Sequence, residues 1–289
     1  MIKNMDYQLK KLSMKGFSID TPLEKYTLKG KQVFVKREDL QGDGYYLPPL
    51  GKIYCVKKYI EEEIDKNKPL TTLSIDGSWT GWLVGAICEE MNIEYYYSYP
   101  LSKKFNTKIL DDVLEKYPNT KLNGIRANMT SIMFNIMKRQ SLEEGWQTIP
   151  YGFETQTFIN GFKERIEPYN HFDNLVLIGA TGSSLVGLQK GFFRENSNQK
   201  IHCVNVSNPP TIIRKLKIND TSIVNSLVNS DNISIHKSPF DFHDRMEFYK
   251  TPFPTNQFWE RKGWYWLEEN IKSIKGSILF WNMGSEYTY

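Results

Sequence analysis

The sequence predicts an α/β protein with mostly parallel sheets and helices on both faces. Two observations lead to this fold class: strand-like and helix-like stretches alternate along most of the 289 residues, and several strand-like runs are short and apolar. The predicted strands are too numerous for one small sheet, so two packed α/β lobes fit better. In such folds ligands bind at the carboxyl ends of the strands.

The individual elements follow from local patterns. Ile53, Val56, Ile60 and Ile64, for example, mark one face of a helix. The predicted strands cover residues 33–36, 70–75, 95–98, 122–125, 175–178, 201–206 and 277–281. The predicted helices cover residues 53–64, 81–91, 105–114, 130–144, 185–192, 212–216, 223–227 and 257–274.

A loop of small residues at 179–184 carries the strongest local signal. It follows the buried strand at 175–178 and precedes a helix, and it contains only Gly, Ala, Thr and Ser. Such a turn lets backbone N–H groups approach a phosphate, and the dipole of the helix favours the anion. The loop lacks the lysine of a Walker loop and the spacing of a dinucleotide fingerprint. A plain tight turn is the alternative, because such turns also need small residues.

Composition excludes several classes of protein. With 14% aromatic and 24% charged residues, the chain is globular. Its net charge of +4 is spread out, without a concentrated basic stripe that would indicate nucleic acid. Cys55, Cys88 and Cys203 are expected to be buried free thiols, and neither Cys nor His shows metal spacing. Without a signal peptide or a membrane-length apolar run, we expect a cytoplasmic protein with no membrane partner.

Four groups of motifs occur in a characteristic order. They are residues 21–23 with VKREDL at 35–40 and Gly51-Lys52; DGSWTG at 76–81; IPYG at 149–152 with the small-residue loop; and LFWNMGS at 279–285. In this order the chain resembles the fold-type II pyridoxal-phosphate (PLP) enzymes, the tryptophan synthase β family. It is most similar to the branch of aminocyclopropane-carboxylate deaminase and D-cysteine desulfhydrase. The resemblance covers nearly the whole chain.

This resemblance implies an architecture and a cofactor. PLP is expected in the cleft between the two lobes. Residues 1–50 plus 151–289 are expected to form the large, cofactor-binding lobe, and residues 51–150 the small lobe. Members of the family are often dimers, so a homodimer is possible.

The resemblance also assigns Lys52 as the lysine that forms the internal aldimine with PLP. Such a lysine must lose its proton, which burial assists. A solvated lysine at a helix start is the alternative, although that position is unfavourable for a cation. Lys57 and Lys58 follow on the same helix and are expected to be solvated.

Further site residues follow from the same resemblance. The 5′-phosphate is expected at Gly179, Thr181, Gly182, Ser183 and Ser184. The substrate carboxylate is expected at Ser78 and Thr80, which offer hydroxyls at a helix N-terminus, and Ser78 is also a catalytic candidate. Tyr151 is expected beside the substrate and the cofactor edge, where proton transfer would require a lowered pKa. Ser285 is expected to meet the ring nitrogen, and such a neutral partner favours β-elimination.

Trp79 departs from the family pattern. The family commonly has an Asn in this loop, which bonds the phenolic oxygen of PLP, whereas the best match here is Trp79. An indole N–H can donate one hydrogen bond, but its shape is very different. We expect Trp79 to shape the cofactor and substrate face of the site, with core packing as the alternative.

Three functional hypotheses remain open at this point. The first is a PLP-dependent lyase or deaminase acting on a small amino acid, with Lys52 shuttling the proton. The second is a PLP enzyme acting on an amino-acid group attached to a nucleic-acid base, which Trp79 and the aromatic content motivate. The third is a binding protein that has lost catalysis. The absence of a basic stripe favours a small-molecule partner, with nucleic acid possible but not favoured.

Overall fold

The computed structural model describes residues 14–75, 77–101, 108–127, 129–195, 197–206 and 232–286. Within these ranges the chain divides into two compact units. Unit 1 contains residues 14–17, Gly42–Pro48 and Val56–Thr155, and unit 2 contains Ser18–Gln41, Pro49–Cys55 and 156–286. The expected lobe boundaries at residues 50 and 150, and the expected place of the cofactor between lobes, stay predictions.

Unit 2 is built on a six-stranded sheet. Its strands are β1 (Leu23–Leu28), β2 (Lys31–Arg37), β7 (Asn174–Gly179), β8 (Lys200–Asn205), β9 (Ile233–Lys237) and β10 (Ile278–Asn282). Their order across the sheet is β1-β2-β10-β7-β8-β9. Only β1 is antiparallel to its neighbour; the other pairs are parallel. Consequently β2, β10 and β7 end at the same edge of the sheet.

The helices of unit 2 are α5 (Gln156–Ile166), α6 (Ser183–Phe192) and α7 (Glu260–Asn270). Trp264, Leu267 and Ile271 in and just after α7 pack in one buried cluster with Val176 and Phe280 of the sheet. Successive strand residues point to opposite faces, which leaves Leu175 and Leu177 for the other face. These two residues are also fully buried, so the sheet is covered on both sides.

Unit 1 is built on a four-stranded parallel sheet. Its strands are β3 (Leu70–Leu73), β4 (Tyr95–Pro100), β5 (Thr120–Ile125) and β6 (Gln147–Thr148), in the order β5-β4-β3-β6. The accompanying helices are α1 (Ile53–Glu63), which begins in unit 2, α2 (Thr80–Glu90), α3 (Lys108–Lys116) and α4 (Thr130–Glu144). Crossover helices between parallel strands account for the alternating pattern of the sequence.

The structure confirms the α/β class and most predicted elements within one to three residues at their ends. Sequence patterns missed β1, β6, β9 and α5, and they extended α7 beyond both of its ends. Edge strand β1 alternates between exposed and half-buried residues, so it lacks the apolar run of a central strand. The predicted helices at 212–216 and 223–227, and the predicted start at residue 105, lie outside the described residues.

Two expectations about individual side chains have clear outcomes. The three cysteines are buried, and none of them forms a disulfide bond with a described residue, as expected. The expectation of a solvated Lys57 is wrong: its side chain is 1% exposed, and its Nζ lies 2.6 Å from a carboxylate oxygen of Glu90.

Among the described helices, none has both the length and the apolar composition required to cross a membrane.

Candidate active site

Three chain segments leave neighbouring parallel strands of unit 2 at the same edge. Residues 38–41 follow β2, residues 180–182 follow β7, and residues 283–285 follow β10, which lies between the other two strands. This edge is where parallel α/β sheets bind their ligands. Most of the candidate residues assigned to unit 2 belong to these segments or lie directly beside them.

Lys52 is held next to the end of β10 by backbone pairing. Leu50 forms an antiparallel bridge with Gly284, and the N–H of Gly51 donates to the carbonyl of Met283 at 2.6 Å. A Cβ on Gly51 would lie 2.5 Å from the Cβ of Glu38, so this close approach requires glycine. Lys52 comes directly before α1; the residue as a whole is partly exposed, and its amine is buried among protein atoms.

The surroundings of Lys52 favour its neutral amine. Burial among protein atoms lowers the pKa of the ammonium, and the carboxylate of Glu260 opposes this effect only in part. A neutral amine, which a lowered pKa favours, is the form that attacks a carbonyl carbon. These properties fit the role expected from the sequence better than the alternative of a solvated lysine.

Glu260 opens α7 and is buried in the same region. Burial raises the pKa of its carboxyl to about 8, while its own backbone N–H and the nearby Lys52 act in the opposite direction. Its Oε2 has no hydrogen-bond partner among the described residues. A Cβ placed on Gly284 would lie 3.3 Å from this oxygen. A buried acid oxygen without a protein partner requires a hydrogen-bond partner, and a bound ligand can supply it.

A second buried carboxylate, that of Asp39, accepts hydrogen bonds on both of its oxygens. Arg37 donates to both of its oxygens at 2.9 Å, and Nδ2 of Asn282 donates to Oδ1 at 2.8 Å. Ser285 also forms a hydrogen bond with this carboxylate through its side chain. Burial nevertheless raises the pKa of Asp39. The Ser285 hydroxyl thus belongs to a buried polar network whose centre is Asp39.

The loop after β7 has the features of an anion site. Gly182 precedes α6 with a φ of +97°, a conformation that glycine adopts without the steric cost that a Cβ brings. Ser183 is 5% exposed, and its Oγ has no hydrogen-bond partner among the described residues. The first N–H groups of a helix lack intrahelical partners, and they point at this loop. An orphaned hydroxyl together with free N–H groups fits a phosphate.

Unit 1 carries a second small-residue loop, at the N-terminus of α2. Ser78 Oγ donates to Thr80 Oγ1 at 2.9 Å, and the N–H of Thr80 donates to Ser78 Oγ at 3.3 Å. The N–H of Gly81 donates to Ser74 Oγ at 3.3 Å. The two hydroxyls therefore lie side by side at a helix start, where the helix dipole favours an anion.

The other two predicted residues of unit 1 are aromatic. Trp79 is half-buried, and its ring stands edge-on to that of Trp82, with the centroids 6.1 Å apart. Tyr151 is half-buried beside Phe134, with a centroid distance of 5.9 Å. Burial raises the pKa of Tyr151, so its phenol keeps its proton at neutral pH. It therefore fits a hydrogen-bond donor and not a phenolate base.

Comparison with known proteins agrees with this arrangement. The glycyl-dTMP PLP-dependent decarboxylase of Pseudomonas phage M6 is 25% identical over 284 residues, covering 92% of this chain and 98% of the relative. A crystal structure of an ACC deaminase homologue superposes with a TM-score of 0.72 at 15% identity, over 94% of this chain and 91% of that one. Threonine deaminase isoform 2 of Solanum lycopersicum gives a TM-score of 0.66 at 12% identity, with 98% and 89% coverage. No protein-family model matches the chain.

The chain has the fold of the fold-type II PLP enzymes. The resemblance seen in the sequence is thereby confirmed at the level of the fold. In this fold-type II chain, unit 2 holds the predicted residues Lys52, Gly179, Thr181, Gly182, Ser183, Ser184 and Ser285, and unit 1 holds Ser78, Trp79, Thr80 and Tyr151. Their roles in binding and catalysis stay predictions.

Sequence patterns did not single out Glu260 or Asp39 as site residues. Glu260 fell within the predicted helix at 257–274, and Asp39 within the motif at 35–40. The feature of the sequence that could have indicated Glu260 is its place directly after Trp259 near the start of that helix. The structure buries Glu260 beside Gly284, which follows β10 and is distant in sequence.

Proposed function

We propose that this chain is a PLP-dependent enzyme that removes the carboxyl group from an amino acid carried by a thymidine nucleotide. The observation that carries the proposal is the buried Lys52 amine with its lowered pKa, beside the buried acid of Glu260. The substrate class is supported by the relative from Pseudomonas phage M6, whose name describes decarboxylation of glycyl-dTMP and whose similarity extends over most of both chains.

The residues of unit 2 fit PLP by their chemistry. The Gly182 turn and the orphaned Ser183 hydroxyl suit its phosphate, and Lys52 suits covalent attachment of its aldehyde carbon. When bound, PLP supplies an electron sink for a bond that breaks at the substrate α carbon. Lys52 is then the group that can hold a proton and deliver it to that carbon.

Glu260 is the residue that we assign to the ring nitrogen, in place of Ser285. Its Oε2 is buried without a partner, whereas the Ser285 side chain already bonds Asp39. A carboxyl partner allows the nitrogen to keep a proton and so strengthens electron withdrawal. Strong withdrawal supports cleavage of a bond at the α carbon, including loss of a carboxyl group, more than a neutral hydroxyl does. This assignment therefore favours decarboxylation over the β-elimination that Ser285 implied.

Ser78 and Thr80 are the proposed binding groups for the substrate carboxylate. Both hydroxyls and the helix N-terminus of α2 favour an anion. Orienting the carboxylate determines which bond at the α carbon reacts, so this loop controls the reaction outcome. Trp79 and Tyr151 are proposed to contact the substrate, Trp79 by ring stacking and Tyr151 as a hydrogen-bond donor.

A lyase or deaminase that acts on a small amino acid is the second candidate. The structural similarity to the ACC deaminase homologue and to diaminopropionate ammonia lyase of Escherichia coli favours it. Those chains are 11–15% identical to this one, so they support the fold and leave the reaction open. The relative from the phage is more similar in sequence, and for that reason we place decarboxylation first.

The cofactor assignment is tested with the Lys52→Ala variant. We expect the purified chain with added PLP to show a visible absorption band that Lys52→Ala lacks, and borohydride to fix the cofactor to the peptide containing Lys52. Lys68→Ala is the matched control, because the Lys68 side chain is 61% exposed. Labelling of another lysine would contradict the assignment, and a chain that binds no PLP would support a binding protein without catalysis.

The reaction is tested by offering glycyl-dTMP alongside D- and L-amino acids and aminocyclopropane carboxylate. Release of carbon dioxide with glycyl-dTMP, and formation of the corresponding amine, is the expected result. Release of ammonia or a keto acid from a small amino acid, with glycyl-dTMP unchanged, would favour the second candidate. Lys52→Ala should abolish either activity while retaining the fold.

A further inference from the structure

Unit 1 contains a surface on which aromatic rings and lysines are stacked together. Lys15 Nζ lies 3.4 Å from the ring centroid of Tyr46, and Lys116 Nζ lies 4.6 Å from that of Tyr45. The two tyrosine rings stand edge-on, with centroids 4.9 Å apart. Tyr45 is 60% exposed and Lys15 is also exposed. We define the aromatic–lysine patch as Lys15, Tyr45, Tyr46, Trp79 and Lys116; Trp82, which contacts Trp79 and Lys116, is buried and is not part of this surface.

The backbone that carries the two tyrosines is fixed in position by buried groups. Trp82 Nε1 donates to Tyr117 Oη at 2.9 Å and to the Tyr46 carbonyl at 3.3 Å. Lys116 Nζ donates to the carbonyl of Tyr45 at 2.9 Å. The backbone that carries the rings is therefore held in place before any ligand arrives, which reduces the entropy lost on binding.

The patch is continuous with the proposed substrate loop. Trp82 lies in the first turn of α2 and packs edge-on against Trp79, which lies between Ser78 and Thr80. Lys116 Nζ also lies 5.2 Å from the Trp82 ring centroid. The buried Trp82 ring thus contacts both Trp79 and Lys116, which brings the patch close to Ser78 and Thr80.

The charge of the patch is positive. Lys15 and Lys116 contribute two ammonium groups, and the carboxylate of Asp43 lies in the same segment as the tyrosines; its Oδ1 accepts the backbone N–H groups of Tyr45, Tyr46 and Leu47 at 2.8–3.0 Å. Ammonium groups bind phosphates, and aromatic rings stack on bases whatever the base sequence. The combination is complementary to a nucleotide chain, and two separated ammonium groups match more than one phosphate.

We propose that the aromatic–lysine patch binds single-stranded DNA on either side of the reacting nucleotide, a step that rests on the proposed function. Lys15 and Lys116 contact backbone phosphates, and Tyr45 stacks on a base next to the one that carries the amino acid. The modified nucleotide is then bound more tightly within a DNA strand than as a free nucleotide.

The test is the binding of a fluorescent oligo(dT) to the full chain, measured by anisotropy at several salt concentrations. We expect binding that weakens with salt, with a log–log slope of about −0.7 for each phosphate contact. Lys15→Gln should weaken binding and reduce that slope by about 0.7, and Lys15→Arg should restore both. Tyr45→Leu should weaken binding about tenfold without changing the slope, because stacking releases no counterions. Lys68→Gln, which alters an exposed lysine of the same unit, should change neither quantity.

Several results would overturn the proposal: no binding of oligo(dT), equal weakening by Lys68→Gln, or an unaltered affinity in Tyr45→Leu. Free thymidine monophosphate that competes at the dissociation constant of the oligonucleotide would also overturn it, in favour of a mononucleotide site. The visible PLP band is recorded in the same samples. Lost DNA binding with the band intact rejects this inference alone, whereas an absent band with DNA bound rejects the proposed function alone.

Discussion

Lys52 and Glu260 interact electrostatically inside unit 2, yet burial shifts both toward their neutral forms. The pKa of the Lys52 amine is lowered and that of the Glu260 carboxyl is raised to about 8, mainly because burial disfavours charge. Their mutual attraction acts against both shifts and is the smaller effect. Burial thus shifts the amine toward its uncharged, nucleophilic form, and the raised pKa of Glu260 favours the protonated acid near neutral pH.

The raised pKa of Glu260 predicts a specific dependence of stability on pH. A carboxyl with a raised folded-state pKa stabilises the fold fully below its ordinary value of 4.5, and this contribution is lost as pH rises through about 8. Compared with Glu260→Gln, the wild-type chain should therefore lose stability between these values, by a few kcal/mol at most. Urea unfolding of both proteins from pH 4.5 to 9 measures the difference.

The pKa of Lys52 is shifted in the opposite direction to that of Glu260. Its contribution to stability therefore depends on pH in the opposite sense and provides a control. Its lowered pKa contributes stability above the ordinary lysine value, and this contribution is lost as pH falls through the folded-state pKa. Removing Glu260 removes an attraction that favours the ammonium, so Glu260→Gln should lower the pKa of Lys52 further. A constant stability difference between wild type and Glu260→Gln across the range would contradict the buried-acid assignment.

Gly182→Val should weaken PLP binding. Valine is strained at a φ of +97°, and its side chain would block the approach of the phosphate to the backbone. Loss of one charge-assisted hydrogen bond corresponds to about a tenfold or larger rise in the dissociation constant. Titration of the apoprotein with PLP measures this dissociation constant. Gly145→Val is the matched control, because Gly145 has a φ of +74° at the end of α4 and open space around it. Equal PLP affinity in the two variants would contradict the phosphate site.

Arg37→Leu should destabilise the fold strongly. The guanidinium pairs with Asp39 through two hydrogen bonds, and both side chains are buried. Its removal leaves a buried carboxylate without its cation, which costs about 3–5 kcal/mol. Lys29→Leu breaks an exposed pair with Glu269 in the same unit and should cost about 0–1 kcal/mol. The loss of folding stability in each variant is measured from its urea unfolding midpoint. Similar losses in the two variants would mean that Asp39 is stabilised without Arg37.

Trp79→Asn tests whether Trp79 acts in the site or only in packing. If Trp79 shapes the cofactor and substrate face, the visible band and the preference among ligands should both shift, because an amide replaces a large ring. Trp146→Asn removes another half-buried indole of unit 1, one that stacks on Tyr96 at 3.7 Å, and should leave the spectrum unchanged. A spectrum of Trp79→Asn identical to that of the parent, with reduced stability, would establish the packing role.

The sequence by itself determined the α/β class and the position of the 179–184 loop. It also determined the order of motifs that led to the fold type. These features depend on local periodicity and on short spacings, which a linear pattern contains. Lys52 is an example: its place before α1 and after the 35–40 segment was visible without coordinates.

Only the tertiary structure decided which charged residues are buried and which distant residues meet. Glu260 is a site candidate because the fold buries it near Gly284 and Lys52, which are distant in sequence. Lys15, Tyr45 and Lys116 form one positive surface although the sequence shows no basic stripe. The physical reason is the same in both cases: desolvation and charge proximity depend on distances in space, which long-range strand pairing and helix packing set.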